Sequence, residues 1–191
     1  MAKINRVKCR KERKCSKCGE LIHVGEEYLR GEPFRRPAIC RHVKCGLYPW
    51  ELSSSEYVQT VGRLQDCLTE DYDLTSEDCI EDIKTAVEEL MEQLQENYDN
   101  MPEGLQYGDT GMLLEERIDA LDGVIGDLDG IDYDNIREDA QDEVMRDRDF
   151  EDVDYDDLEG ELLDEVNEEI DERVKDALVE AVSEALSGLD C

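Results

Sequence analysis

Apolar positions along this chain follow two periods. Up to residue 48 they come in short strand-like stretches. Leu21, Ile22 and Val24 precede a turn at Gly25, Tyr28 and Leu29 follow it, and Gly31-Glu32-Pro33 and Pro37 interrupt the chain. This spacing predicts a small β-hairpin. From Trp50 the period becomes helical. Leu52, Tyr57, Val61, Leu64 and Leu68 share one face, and Ser53-Ser54-Ser55 offers an N-cap. Ile80, Ile83, Val87, Leu90, Leu94 and Tyr98 then recur as a heptad seam, with Thr75 or Ser76 as cap and Pro102 and Gly104 as terminators. A second seam, Leu114, Ile118, Leu121, Ile125 and Leu128, starts behind Thr110. Two seams joined by so short a link predict an antiparallel helical hairpin.

The Asp-rich stretch 131–157 has only scattered anchors, Val144, Met145, Phe150 and Val153, and is expected to be partly helical or disordered. Leu158, Leu162, Leu163, Val166, Ile170, Val174, Leu178, Val182 and Leu186 predict one long closing helix, with Gly188 at its C-cap. The expected fold is therefore mainly α. A small N-terminal β-hairpin module (1–48) leads into a helical region with a hairpin or coiled coil (49–130), an acidic linker (131–157) and a C-terminal helix (158–188).

Charge sharpens this division. Of 191 residues, 53 are Asp or Glu and 21 are Lys or Arg, giving a net charge of −32. Residues 1–48 carry 13 basic against 5 acidic groups, a net of +8, whereas residues 49–191 carry 8 against 48, a net of −40. A switch this sharp predicts two parts with different partners. Self-repulsion on the acidic side destabilises a compact state. High ambient salt would screen it, and eight lysines against thirteen arginines with so many carboxylates resembles proteins of extreme halophiles and their viruses. A carboxylate-studded mimic of DNA and a plain solvated acidic coiled coil are the other two readings.

No apolar run approaches the ~18 residues of a membrane span. No apolar segment stands behind the basic start Lys3-Ile4-Asn5-Arg6, so no secretory signal is expected. The expected location is the cytoplasm, that of a host cell if the protein is viral. At 39% apolar residues and 6% aromatics, a large-cleft enzyme with a thick core is excluded, as is a secreted disulfide miniprotein.

Eight cysteines carry the candidate chemistry. Cys15-Ser16-Lys17-Cys18-Gly19 puts two thiolates on one tight turn, and Cys40-Arg41-His42-Val43-Lys44-Cys45 supplies a second pair 21 residues later. Four such ligands close a tetrahedral site, Zn2+ before iron. Cys15, Cys18 and Cys45 are assigned. The fourth ligand is Cys40, in a four-cysteine site, or His42, in a three-cysteine, one-histidine site; the spacing leans slightly to Cys40. A module of about 45 residues with so few apolar groups needs the metal for much of its folding energy. Cys9 lacks a partner at ligand spacing, and Cys67 and Cys79 fall on helical apolar faces as small core residues. Cys191 is expected to be a free thiol and His23 a surface strand residue.

Lys14-Cys15-Ser16-Lys17-Cys18-Gly19-Glu20-Leu21-Ile22, then Gly25-Glu26-Glu27-Tyr28, then His42-Val43-Lys44-Cys45 resembles the poly(ADP-ribose) polymerase-type zinc finger. It also resembles a short finger of uncharacterised tailed-phage and archaeal-virus proteins. In those proteins a Pro-x-x-Leu-Ser-Ser stretch and long acidic helices follow the finger. Pro49-Trp50-Glu51-Leu52-Ser53-Ser54-Ser55 and Asn97-Tyr98-Asp99-Asn100-Met101-Pro102-Glu103-Gly104-Leu105-Gln106 fit that pattern here. The gap between ligand pairs is shorter than in the polymerase fingers, and no polymerase catalytic region is present. The resemblance implies a metal site at Cys15, Cys18, His42 and Cys45 and contact with nucleic acid, DNA ends and nicks in the polymerase fingers.

Basic groups surround the knuckle. Arg10, Lys11, Arg13, Lys14 and Lys17 precede it, and Arg35, Arg36, Arg41 and Lys44 follow. These neutralise phosphates with counterion release, and Phe34 beside Arg35-Arg36 is placed to stack on an exposed base. The bland alternative is a solvated basic arm, or one docked on the acidic helices. Asp154, Asp156, Asp157 and Glu159 form no calcium loop and read as solvated surface. There is no Gly-Lys-Ser/Thr phosphate loop, Gly-x-Ser-x-Gly elbow or His-Glu-x-x-His, so no enzyme is expected. The expected protein is a non-enzymatic, zinc-binding accessory factor that binds nucleic acid through its finger, with residues 75–188 for self-association or a protein partner. In the alternative, the acidic helices bind a basic partner or mimic DNA.

Overall fold

A computed structural model describes residues 3–66, 68–76, 78–148, 155 and 158–189. Cys67, Phe150, Val153, Asp154, Asp156, Asp157 and Cys191, singled out above, lie outside the described residues. The fold is mainly α with a small N-terminal β part. The chain divides into two compact units, one ending at Arg63 and one beginning at Leu64.

Among the described residues, the first unit holds five strands, β1 (Ile4–Lys8), β2 (Arg13–Lys14), β3 (Leu21–Ile22), β4 (Glu27–Gly31) and β5 (Ile39–His42). Strands β1, β4 and β5 form an antiparallel sheet in the order β1-β4-β5, and β2 pairs antiparallel with β3. The register opposes Val7 to Tyr28 and Tyr28 to His42. The expected hairpin about Gly25 is therefore replaced by two separate pairings. The cause is local. Gly25 donates its N–H to the Cys9 carbonyl and Cys9 donates to the Glu26 carbonyl, both at 2.8 Å. These bonds pin the 23–26 loop to the chain leaving β1, and β4 then runs back along β1.

Cys9, Cys15, Ile22 and Tyr28 are buried together beneath this sheet, with Val7, Cys40 and Cys45 packed against them. The unit continues past residue 48. Tyr48 stacks on Trp50, with ring centroids 5.4 Å apart. A 3-10 turn at Pro49–Leu52 leads to α1 (Glu56–Asp66). Ser55 accepts from the Val58 N–H at 3.5 Å, an N-cap where the serine run predicted one. A Cβ on Gly31 would lie 2.5 Å from Leu52 Cδ2, so β4 and the 3-10 turn approach through the missing side chain.

The second unit contains α2 (Leu68–Asp71), α3 (Cys79–Asp99), α4 (Glu103–Gln106), α5 (Asp109–Asp129), α6 (Tyr133–Asp147) and α7 (Glu161–Leu186). Helices α3 and α5 pack together. Lys84 Nζ lies 2.7 Å from Asp129 Oδ1, and Tyr98 donates to Glu115 at 2.8 Å, so the two helices run antiparallel. Buried Ile83, Val87, Leu90 and Leu94 face buried Leu121, Val124 and Leu128.

The caps differ from those expected. Helix α3 begins at Cys79 behind Asp78, and α5 begins at Asp109 behind Gly108. Gly111 explains the second shift: a Cβ there would lie 2.0 Å from the Gln106 carbonyl, so the first turn of α5 is pressed against α4.

Within the Asp-rich stretch, α6 is a 15-residue helix capped by Asp132, which accepts from the Asn135 N–H at 3.1 Å. It packs antiparallel on α7, joined by Arg137–Asp171 at 3.0 Å and Arg148–Glu169 at 2.8 Å. In α7, Val166, Ile170, Val174, Leu178, Val182 and Leu186 are all buried. Steps of four advance ~40° on a 3.6-residue helix, so this stripe winds around α7. It allows the helix to serve α6 along residues 165–173 and also to pack on α5. The α7 C-cap is Ser187, one residue before Gly188. The Gln65 side chain donates to the Leu186 and Leu189 carbonyls, each at 3.0 Å, satisfying groups a helix end leaves open.

Candidate metal centre

Two glycine-terminated turns build the site. In the first, the Cys15 N–H donates to Glu20 at 2.8 Å and Gly19 donates back to Cys15 at 3.0 Å. In the second, a 3-10 turn at Val43–Cys45 continues from β5, and Gly46 donates to Val43 at 3.3 Å. Gly19 and Gly46, each directly after a cysteine, have φ of 75° and 61°, a region that favours glycine. Each reversal turns its cysteine toward the other pair. The Ser16 N–H to Cys40 carbonyl bond of 2.9 Å ties the first turn to β5, which leads into the second.

Cys15, Cys18, His42 and Cys45 converge, with one ligand atom from each within 4.8 Å of all the others. A tetrahedral zinc with Zn–S of ~2.3 Å and Zn–N of ~2.0–2.1 Å sets its ligand atoms ~3.5–3.8 Å apart, so closure takes shifts of about 1 Å. The donor set and spacing therefore fit one metal ion. His42 Nδ1 is 3.3 Å from Cys18 Sγ, and Nε2 is 3.3 Å from the Leu21 carbonyl. A proton on Nε2 donated to Leu21 leaves the Nδ1 lone pair facing the thiols, as a ligating imidazole requires.

The slight lean to Cys40 is corrected here: His42, not Cys40, stands in the group. In β5 alternate side chains share a face, so Cys40 and His42 are on one side of the strand, but only His42 adjoins the second turn. Cys40 Sγ instead accepts from Arg13 Nη1 at 3.5 Å. Arg13 also covers the Tyr28 ring, 4.9 Å from its centroid. Cys9 is buried and bonds through its thiol to the Lys11 carbonyl at 3.0 Å. His23 stays exposed, 3.1 Å from Glu12, whose bond holds its pKa above the ordinary value.

The thiols are unequal in the metal-free chain. Burial pushes Cys15 up, but N–H groups of Cys18, His42 and Lys17, with the Cys18 side chain, outweigh it and bring the thiol down to about 6. Burial and the neighbouring Cys18 and Cys15 push Cys45 up to about 11. Proximity to one thiolate thus discourages a second until a cation arrives.

The basic residues divide into two groups. Arg41 forms a two-bonded pair with Glu51, at 2.6 and 3.0 Å, both side chains being about 15% exposed. Arg36 donates to the Leu52 carbonyl at 3.4 Å and also to Ser53. These two guanidiniums, and that of Arg13, are engaged inside the unit. Lys44 lies 3.6 Å from Glu20, both well exposed. Arg10, Lys11, Lys14, Lys17 and Arg35 are exposed. Phe34 is 76% exposed, and the Arg35 guanidinium lies 4.9 Å over its ring. Arg35 has a φ of 56°, and its turn is closed by Arg36 N–H to the Pro33 carbonyl at 3.4 Å.

No protein-family model matches this chain, and no curated protein or solved structure matches it. The Leu21 carbonyl, which aims His42, escaped the sequence reading because a backbone oxygen has no residue signature.

Proposed function

We propose that this chain is a non-enzymatic zinc-binding accessory protein whose finger binds nucleic acid, DNA first. Zn2+ on Cys15, Cys18, His42 and Cys45 fixes the two turns and carries no reaction step. The observation that carries this reading is Phe34, held in solvent by a turn that places a non-glycine residue at positive φ, with the Arg35 cation stacked beside it. Exposure of a large ring is unfavourable unless something covers it, and a base face with an adjacent phosphate matches a ring–guanidinium pair. Arg10, Lys11, Lys14 and Lys17 add exposed positive charge on a segment of net +8.

The test is a fluorescence-anisotropy titration of the full chain against nicked, blunt-ended and single-stranded DNA at several salt concentrations. It is run with zinc and again with chelator. Saturable zinc-dependent binding that weakens about tenfold in Phe34→Ala is expected, within the ~1–3 kcal/mol of one stacked base. No binding at low salt would overturn the reading. Binding that survives chelation would reduce the finger to a nonspecific basic arm.

A further inference from the structure

The α3–α5 hairpin carries a surface that its own packing leaves open. Half-buried Met91 and Ile118 help line a groove of about 550 Å3, with three carboxylates from α3 and two from α5 also lining it. Past Asp99, the groove-lining residue that ends α3, Leu105, Tyr107 and Met112 stand 57%, 79% and 61% exposed. The sequence from 85 to 116 has nine Asp and Glu and no Lys or Arg. Apolar side chains and carboxylates thus share the half of the hairpin nearer its turn.

A second copy of this surface fails as its occupant, since it would press like charges together. A basic helix complements both features. Its apolar stripe at i, i+3/i+4 and i+7 fills the floor, and its flanking cations meet the walls. We propose that this face docks a cationic amphipathic helix of a partner protein. The docking is independent of what the finger binds.

The probe is a synthetic Leu/Lys amphipathic peptide of about five turns, set against a scrambled peptide of the same composition. Both are titrated into the full zinc-loaded chain by calorimetry, with peptide helicity read by circular dichroism. One peptide per chain is expected, helical when bound and at least about tenfold tighter than the scrambled form, a difference of about 1.4 kcal/mol. A variant carrying Leu105→Gln, Tyr107→Gln and Met112→Gln alters only exposed side chains and should keep its melting temperature while losing about tenfold in affinity. Met91→Gln, in the groove itself, should weaken binding in the same direction. Equal binding of the scrambled peptide, several peptides per chain, or unchanged affinity in both variants would reduce the effect to diffuse attraction and overturn the proposal. So would a dimer of the chain that these substitutions dissolve, which would make a second copy the occupant.

Discussion

His42 reaches the thiols because its far nitrogen is turned to the Leu21 oxygen, while Cys40, two residues earlier, is taken by Arg13. Their substitutions should therefore separate. Cys40→Ala should retain one metal per chain. His42→Ala should lower metal affinity by more than about a hundredfold, beyond the loss typical of an outer partner. Cobalt spectra and chelator competition read both, and the reverse order would restore Cys40 to the site. Acidity has its own signature. With Cys45 raised to about 11 in the metal-free chain, the incoming ion must expel its proton between about pH 7 and 9. Apparent affinity should rise about tenfold per pH unit for each proton released, and fall as pH drops. Below about pH 6 the Cys15 proton must also leave, so the fall steepens. A flat profile in chelator competition would contradict this. Cys15, Cys18 and Cys45 were legible as candidates, because Cys-x2-Cys and a later Cys constrain a turn on their own, and all three stand in the converging group. Choosing the fourth required knowing which side chain the Leu21 oxygen and Arg13 would orient, and those side-chain contacts join strands of the two separate sheets, 21 and 27 residues apart in the chain.

At the level of elements, the helices were more legible than the strands. The heptads of α3 and the four-residue steps of α7 repeat often enough to announce a buried face, and Ile83, Val87, Leu90, Leu94 and Leu178 are buried as the pattern required. β1 escaped because Ile4 and Val7 are three apart and its other residues are polar, so no alternation marks it. β5 is likewise fixed by its pairing with β4 rather than by its own composition. Arg41 illustrates the consequence. In the sequence it belongs to a basic patch; in the fold it joins β5 to the 3-10 turn through Glu51. Arg41→Ala should cost about 1.5–3 kcal/mol in denaturant-measured stability. It should leave the salt slope of any DNA binding unchanged, because a phosphate contact would flatten that slope. Leu178→Ala, at a fully buried position, should cost the second unit about 2–5 kcal/mol.

The molecule as a whole balances this packing against its own field. Lys84, Arg137, Arg148 and Arg173 each bond a carboxylate on a neighbouring helix, and Arg173 gathers Glu143, Asp147 and Glu169. Solvent-facing pairs of this kind contribute little individually, whereas residues 49–191 hold a net of −40. Screening the repulsion should therefore outweigh weakening the pairs. The melting temperature should climb by about 5 °C or more from about 0.1 M to about 2 M NaCl, and a fall would show that the pairs dominate. The Gln65 contact with the end of α7 also fixes an order of events. Every residue of the candidate metal group has been synthesised by residue 45, but the helical unit lacks its closing contact until Leu186 and Leu189 have been added. On a translating ribosome the candidate metal group is complete while the acidic segments are still an unfinished polyanion. Protease digestion of nascent chains stalled at increasing lengths should show protection of the first unit well before the second.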